Sequence, residues 1–308
     1  MDTAISRAVL ITGCSSGIGR ATALRLARGG WPVYATARHP QAIEDLAGSC
    51  TILPLDVTDE ASMRSAVAAV ERDAGAVGVL VNNAGYSQPG AVETVPLALV
   101  RRQFETNLFG AVRLTQLVLP RMRRQGWGRI VNISSIGGKL SFPGGAFYHG
   151  SKHALEAVSD GLRFELRPFG IQVVTIEPGF IRSGFAEAAI TSLDAVERDG
   201  PYASYNAAVA KATTGTYQAG LMARLAGGPD DVARAVQRAI TARHPRARYL
   251  VTASARLLLP MHALLSDHAW DRVMARSIPP PGPGTPLAPG GRPARPGPGA
   301  HSRAGSRR

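Results

Sequence analysis

The sequence predicts an α/β fold, a single doubly wound domain whose seven-stranded parallel sheet carries helices on both faces. Short runs rich in Val, Ile and Leu alternate with longer stretches of helical period, the order that arises when crossover helices join parallel strands. Runs such as Val173-Val174-Thr175-Ile176 are apolar without alternation, as a strand covered on both faces requires. The chain of 308 residues, 45% hydrophobic, is long enough to bury one large core.

In order, the apolar runs place strands at 8–12, 32–36, 51–55, 78–82, 129–133, 171–176 and 247–252. The intervening periodic segments predict helices at 17–29, 40–47, 59–74, 97–125, 148–167 and 229–243, with a further one at 255–275. The interval 181–228 has mixed helix and loop character, and in a doubly wound sheet it lies over the carboxyl ends of the strands, where ligands bind. The organisation expected is a catalytic domain over 1–277, with 181–228 as its lid, and a Pro/Gly/Arg-rich disordered tail over 278–308.

The net charge of +13 raises a nucleic-acid reading, so its location matters. Residues 279–308 hold five arginines, no acid, nine prolines and seven glycines, with almost nothing apolar to bury. Arginine outnumbers lysine 32 to 3 throughout, which fits a GC-rich coding sequence as easily as any selected role, and no nucleic-acid partner is expected. No apolar run approaches the roughly 20 residues of a membrane span. The longest, Leu257 to Leu265, is interrupted by Pro260 and His262, so no stable membrane insertion is expected. Two cysteines, Cys14 and Cys50, cannot form a disulfide framework. With no charged-then-apolar leader before Ala8, the expected compartment is cytoplasmic. No His/Cys/carboxylate spacing suggests a metal site.

Six short motifs carry chemistry. Thr12-Gly13-Cys14-Ser15-Ser16-Gly17-Ile18-Gly19 stands where the first strand turns into the first helix. Glycines there let backbone approach a pyrophosphate, and the helix N-terminus offers unpaired N–H groups. A plain tight turn is the alternative, which the strand-turn-helix context disfavours. After the second strand comes Tyr34-Ala35-Thr36-Ala37-Arg38-His39, with no acid until Glu44. An acid there would bind a free ribose 2′-hydroxyl, whereas an arginine accommodates a 2′-phosphate, so NADP(H) is preferred with NAD(H) second. Asp56 after the third strand either reaches an adenine or caps the helix beginning near Asp59.

Asn82-Asn83-Ala84-Gly85 follows the fourth strand, Ser134-Ser135 the fifth and Pro178-Gly179 the sixth, all at one edge of the sheet. Finally, Tyr148-His149-Gly150-Ser151-Lys152 puts a phenol and an ammonium on one helix face, one turn apart. The cation favours the ionised phenol and brings it toward a usable acid. With 7 Tyr and 3 Lys in the chain, that spacing is uncommon by chance. His149 and His153 are assigned no role.

Together these motifs resemble the short-chain dehydrogenase/reductase family, in which a Thr-Gly-x-x-x-Gly-x-Gly loop, Asn-Asn-Ala-Gly, a serine and Tyr-x-x-x-Lys recur; the match covers about residues 5–275. The resemblance implies a Rossmann fold and a tetrad of Asn107, Ser135, Tyr148 and Lys152. In the family the tyrosine is the acid-base, the serine holds the substrate oxygen, the lysine binds the nicotinamide ribose and lowers the tyrosine pKa, and the asparagine anchors a proton-relaying water. Asn107 bonding local backbone, and Ser134 in place of Ser135, remain open. The implied cofactor contacts are Gly13, Ser15, Ser16, Gly17, Ile18, Gly19, Arg38, Asp56, Val57, Asn83, Ala84, Gly85, Tyr148, Lys152, Pro178, Gly179, Ile181 and Ser183; Ser135 and Tyr148 would touch substrate. Ser183 stands where the family has a threonine.

The segments 33–38 and 177–185 are similar to the branch containing 17-beta-hydroxysteroid and retinol dehydrogenases, which implies a lipophilic ketone or secondary alcohol, steroid-, retinoid- or polyketide-like. Phe180, Phe185, Tyr202, Tyr205, Tyr217, Leu221 and Met222 are the candidate walls. A homodimer or homotetramer joined through 97–125 and 148–167 is also implied. An NADP-binding redox sensor with little turnover is the rival class, and a binding protein acting through its basic tail a third.

Overall fold

The computed structural model describes residues 5–193, 200–218, 220–278 and 280–281. The strands are β1 Val9–Ile11, β2 Val33–Ala37, β3 Thr51–Pro54, β4 Val79–Asn82, β5 Gly128–Ile133, β6 Ile171–Pro178 and β7 Arg248–Val251. They form one parallel sheet in the order β3-β2-β1-β4-β5-β6-β7, so the chain reverses its direction of travel between β1 and β4. The described helices are α1 Gly17–Arg28, α2 Glu60–Ala74, α3 Leu97–Phe104, α4 Gly110–Arg124, α5 Ala146–Leu166, α6 Phe185–Leu193, α7 Ala203–Gln218, α8 Gly220–Leu225, α9 Pro229–Thr241, α10 Ala253–Leu264 and α11 Asp267–Ser277.

Strand alternation makes two cores. Val9 and Ile11 of β1 pack on one face with Ala23 and Leu26 of α1 and Val232, Val236 and Ile240 of α9. Leu10 packs on the other face with Met63, Val67 and Val70 of α2 and Leu114, Val118 and Met122 of α4. Leu10, Leu26, Leu114 and Ile130 are fully buried, each contributing about 1.5–3 kcal/mol of transfer free energy.

Three elements depart from the sequence expectation. The helix expected at 97–125 is interrupted by one π-helical turn, Glu105–Phe109, whose extra residue carries Asn107 inward. Gly110 follows because a Cβ there would lie 2.4 Å from the carbonyl oxygen of Val57. Residues 40–46 form a 3₁₀ turn rather than an α-helix. The helix expected at 255–275 is two, α10 and α11, separated at Leu265 and Ser266, where Leu265 turns extended.

The interval 181–228 is closed on itself at its base. Arg182 N donates to the Gly227 carbonyl at 2.9 Å, and Gly227 N donates to that of Phe180 at 2.9 Å. α6, α7 and α8 rise from that clasp; residues 194–199 and 219 of the interval, and 279 and 282–308 of the expected tail, lie outside the described residues. Among the described residues no helix is long and apolar enough to cross a membrane.

Candidate active site

The loop between β1 and α1 is shaped by close approach. Gly13 and Gly17 have φ of +71° and +55°, conformations that favour glycine. A Cβ on Gly19 would stand 2.3 Å from the Gly13 carbonyl oxygen and 2.5 Å from Asn83 Nδ2, so no larger residue fits there. Ser16, the N-cap of α1, makes no side-chain cap, which leaves the first-turn N–H groups facing the cavity mouth. These uncapped donors and the missing Cβ atoms are what a nicotinamide dinucleotide's pyrophosphate requires, so the residues present fit that group.

The loop is tied to the end of β4. Thr12 Oγ1 accepts from Asn83 N and Ala84 N, both at 2.9 Å, while Asn83 Nδ2 donates to Thr12 O at 2.8 Å and Gly13 O at 3.1 Å. Asn82 faces the other way, donating to Asn132 Oδ1 at 2.9 Å, and Asn132 donates to Ser159 Oγ at 2.8 Å. This buried amide ladder fixes β4, β5 and α5 in one register. Thr12, directly before the loop's first glycine, is therefore the pin between cradle and sheet edge.

On α5, Tyr148 and Lys152 share one face, with Lys152 Nζ 5.9 Å from the centroid of the Tyr148 ring. Lys152 is buried and donates to the Ile133 carbonyl at 2.8 Å. Burial pushes its ammonium down to about 8, opposed by the negative charge of Glu156 one turn on. Ser135 caps the short turn Ile136–Gly138, accepting from Gly137 N at 3.0 Å, which leaves its O–H hydrogen to donate into the cavity. Ser134 lies deeper: its hydroxyl is buried, and a Cβ on Gly138 would meet it at 2.9 Å. Asn107 Nδ2 donates to the Tyr86 carbonyl at 2.9 Å and to Ser151 Oγ at 3.0 Å, and its Oδ1 accepts from Tyr86 N at 3.0 Å. Its side chain thus clips the loop after Gly85 to α5 from behind.

One cavity of about 1530 Å³ runs along the carboxyl edge of the sheet. Every residue expected at the site lines it except Gly19, which packs under the loop, and Asn107, which is buried behind Tyr86. Arg38 is exposed, lines the cavity and pairs with no carboxylate among the described residues, whereas Arg20 is held by Asp45. Asp56 lines the cavity too, with its Oδ1 accepting from Thr58 N at 2.9 Å; the cap of α2 is Asp59, not Asp56.

The expected walls are partly corrected. Phe180, Phe185 and Met222 line the cavity, but Leu221 is exposed and Tyr202 spends its hydroxyl on Glu93 at 2.8 Å, its ring against Tyr205. The side chain of Tyr217 lies outside the described residues. Phe142, His149, Val209, Leu258, Met261 and Met274 line it instead. The sequence assigns His149 no role, since beside Tyr148 on a helix its ring points away from the pair or stacks beside it; in the structure it stands edge-on to Tyr148, ring centroids 5.6 Å apart, and lines the cavity. It is buried, its Nδ1 accepts from Phe142 N at 3.3 Å, and burial with the nearby His153 pushes it down to about 4, a neutral wall residue. From above, Thr252 and Ser254 hold the turn after β6: Ser254 Oγ accepts from Phe180 N at 3.1 Å, and Thr252 adopts a strained φ of +87° with its hydroxyl against Gly179.

The arrangement defines an oxidoreductase of the nicotinamide-binding α/β type. The model of the short-chain dehydrogenase family matches residues 7–193, and the chain belongs to that family, in its retinol/hydroxysteroid-like branch. It is 36% identical over 279 residues to the uncharacterized oxidoreductase YusZ of Bacillus subtilis, covering 87% of this chain and 97% of that one. It is 35% identical over 296 residues to human retinol dehydrogenase 5, covering 89% of each. With a 3-ketodihydrosphingosine reductase of Bacteroides thetaiotaomicron it shares 42% identity over 179 residues, 58% of this chain and 65% of that one. Among solved structures, a short-chain dehydrogenase from Streptomyces avermitilis superposes with a TM-score of 0.71 at 35% identity, covering 88% of this chain and 94% of that one. The closed form of a serine dehydrogenase complexed with NADP+ gives 0.69 at 26% identity, covering 80% and 94%. The protein is a NAD(P)-dependent short-chain dehydrogenase/reductase.

Proposed function

We propose that the protein interconverts a lipophilic ketone and its secondary alcohol with NADP(H), using Tyr148 as the acid-base. The observation that carries this reading is the convergence of Tyr148, Lys152 and Ser135 on one cavity of about 1530 Å³. That volume exceeds the 300–1,000 Å³ of an ordinary ligand pocket and leaves room for a second, sizeable molecule beside a dinucleotide. Gly13, Ser15, Ser16, Gly17 and Ile18 would hold the pyrophosphate on a loop that Gly19 shapes from beneath, Val57, Asn83, Ala84 and Gly85 the middle of the dinucleotide, and Pro178, Gly179, Ile181 and Ser183 its nicotinamide end. Bound there, the nicotinamide supplies the hydride.

The chain's own residues handle the oxygen. Tyr148 Oη gives its proton to the carbonyl oxygen as negative charge develops, and Ser135 Oγ donates a second hydrogen bond to that oxygen. Lys152 lies beside the phenol and stabilises the tyrosinate left behind. Asn107 is a positioning residue that holds the Tyr86 backbone, and so the floor beside Gly85, against α5.

A lipophilic substrate is supported by the wall of Phe142, Phe180, Phe185, Met222, Leu258 and Met261, and by relatives named for retinol and 3-ketodihydrosphingosine. NADP(H) is supported by Arg38 at the dinucleotide end, and by solved relatives holding NADP. In this reading residues 1–277 are the catalytic domain with 181–228 as substrate cover, and the assembly is a homodimer or homotetramer. A panel of ketones assayed for NADPH oxidation tests it: bulky lipophilic ketones should turn over with much higher kcat/KM than small polar carbonyls. Activity confined to the small polar set overturns the substrate reading, and a clear preference for NADH overturns the cofactor reading.

A further inference from the structure

Behind the cavity, α5, β6, β7 and the turn after Ser135 bring charged side chains together in the interior. Glu156 and Glu177 are only 3% and 2% exposed. Arg248 Nε lies 3.1 Å from Glu156 Oε2 and 3.1 Å from Glu177 Oε1, and Lys139 Nζ lies 3.2 Å from Glu156 Oε2. A guanidinium Nε carries one hydrogen, and it is spent on Glu156. Glu156 Oε1 and Glu177 Oε1 therefore have no donor among the described residues.

The charged groups around the pair come from every element packed on it: Lys152 and Asp160 from α5, Lys139 from the turn, Arg248 from β7, with the Ser134 hydroxyl at the end of β5. Arg248 also binds Asp160, which is itself paired with Arg163, so its charge is divided among three carboxylates. Two buried carboxylates competing for one N–H are relieved by a single proton held between them. Burial and the adjacent Glu156 charge push Glu177 up to about 7, in agreement with that arrangement.

Each member touches a part that carries the proposed site. Glu156 lies one turn beyond Lys152 on α5. Its side chain packs on Gly138, and Lys139 ends the same turn that Ser135 caps. Glu177 directly precedes Pro178 and Gly179 at the end of β6. We propose that Glu156 and Glu177 share one proton and act as a positioning pair, with Lys139 and Arg248, that sets the charge state of Lys152 and the placement of Ser135. The proposal rests on Lys152 being the cation of the site. The negative charge on Glu156 keeps Lys152 protonated, while the proton on Glu177 prevents a second negative charge from pulling Arg248 and Lys139 away.

The test uses the full chain without any substrate, so that its failure is distinct from a failure of the ketone reading. Wild type, Glu177→Gln and Glu156→Gln are compared by urea unfolding and by NADPH fluorescence titration across pH 5 to 9. A carboxyl whose folded pKa is raised adds stability below its unfolded pKa and loses it as pH rises through the folded value. The stability difference between wild type and Glu177→Gln should accordingly fall from about pH 4.5 to 7 and flatten above; taking the difference removes the opposite slope contributed by His149. In Glu156→Gln the alkaline inflection in NADPH affinity, assigned to Lys152, should move down by about one pH unit. Should Glu156→Gln not fold, Lys139→Gln replaces it, since removing that half-exposed cation should move the stability inflection to higher pH. A flat stability difference for Glu177→Gln overturns the shared proton. Affinity profiles that superimpose on wild type, in variants whose stability profiles have moved, overturn the positioning role and leave the pair purely structural.

Discussion

The carboxyl edge of the sheet and the cover above it are built differently. Along α5 the sheet-facing side buries His149, Ser151, Lys152, Glu156 and Ser159 as well as Leu155, and their polar atoms are tied to Ile133, Asn107, Asn132 and Phe142. On α7, of the cover, the buried residues among the described side chains are Asn206 and Val209, and the helix is fastened by Asn206 Oδ1, accepting from Ala91 N at 3.1 Å, and by the Tyr205 hydroxyl against the Gly144 backbone. The edge fixes atoms; the cover supplies surface. Proton transfer needs heavy atoms held within hydrogen-bond reach, whereas rejecting or admitting an apolar substrate needs only shape and area. A site divided in this way keeps its chemistry when its cover changes.

Substitutions at the edge should therefore be costly, and those in the cover mild. Gly19→Ala places a Cβ against the Gly13 carbonyl and should lower stability by about 2–3 kcal/mol and abolish measurable NADPH binding, read by urea unfolding and fluorescence titration. Normal binding would break the claim that the loop is fixed by close approach. His149 has its folded pKa pushed down from 6.5 to about 4, so the unfolded chain takes up a proton first as pH falls. Its contribution is present above pH 6.5 and lost toward pH 4, about 3 kcal/mol in all, and His149→Gln should lose that part of the pH dependence. Arg38→Asp should move the NADPH-to-NADH ratio of kcat/KM toward NADH by about 10–100-fold, leaving the fold intact. Met222→Ala, in the cover, should raise KM for a bulky ketone only a few-fold, with kcat nearly unchanged.

Much of this was legible in the sequence because the relevant signals are local. Unbroken runs such as Val173 to Ile176 and glycines at Gly13 and Gly17 leave few alternatives to a buried parallel strand and a phosphate-type turn. What escaped depends on long-range contacts. The π turn at Asn107 has no local signature; it is imposed by the Tyr86 loop and by Val57 against Gly110. Asp56 and Asp59 are equally good caps by composition, and only the backbone decides for Asp59. Tyr202 and Leu221 look like pocket residues in sequence, yet one lies in the turn before α7 and the other at the start of the short α8, where no periodicity says which side faces the cavity. The Glu156–Glu177 pair joins residues that are 21 positions apart, brought together only when α5 lies on β6.

The central claim is that Tyr148 transfers the proton while the rest of the edge binds the cofactor. Tyr148→Phe removes one oxygen and little else, and the measurement is NADPH oxidation with a ketone selected from the panel, with NADPH affinity titrated on the same samples. The account predicts a loss of turnover of about 10²–10⁴-fold with NADPH affinity within a few-fold of wild type. Turnover that survives the substitution at near wild-type rate would contradict it.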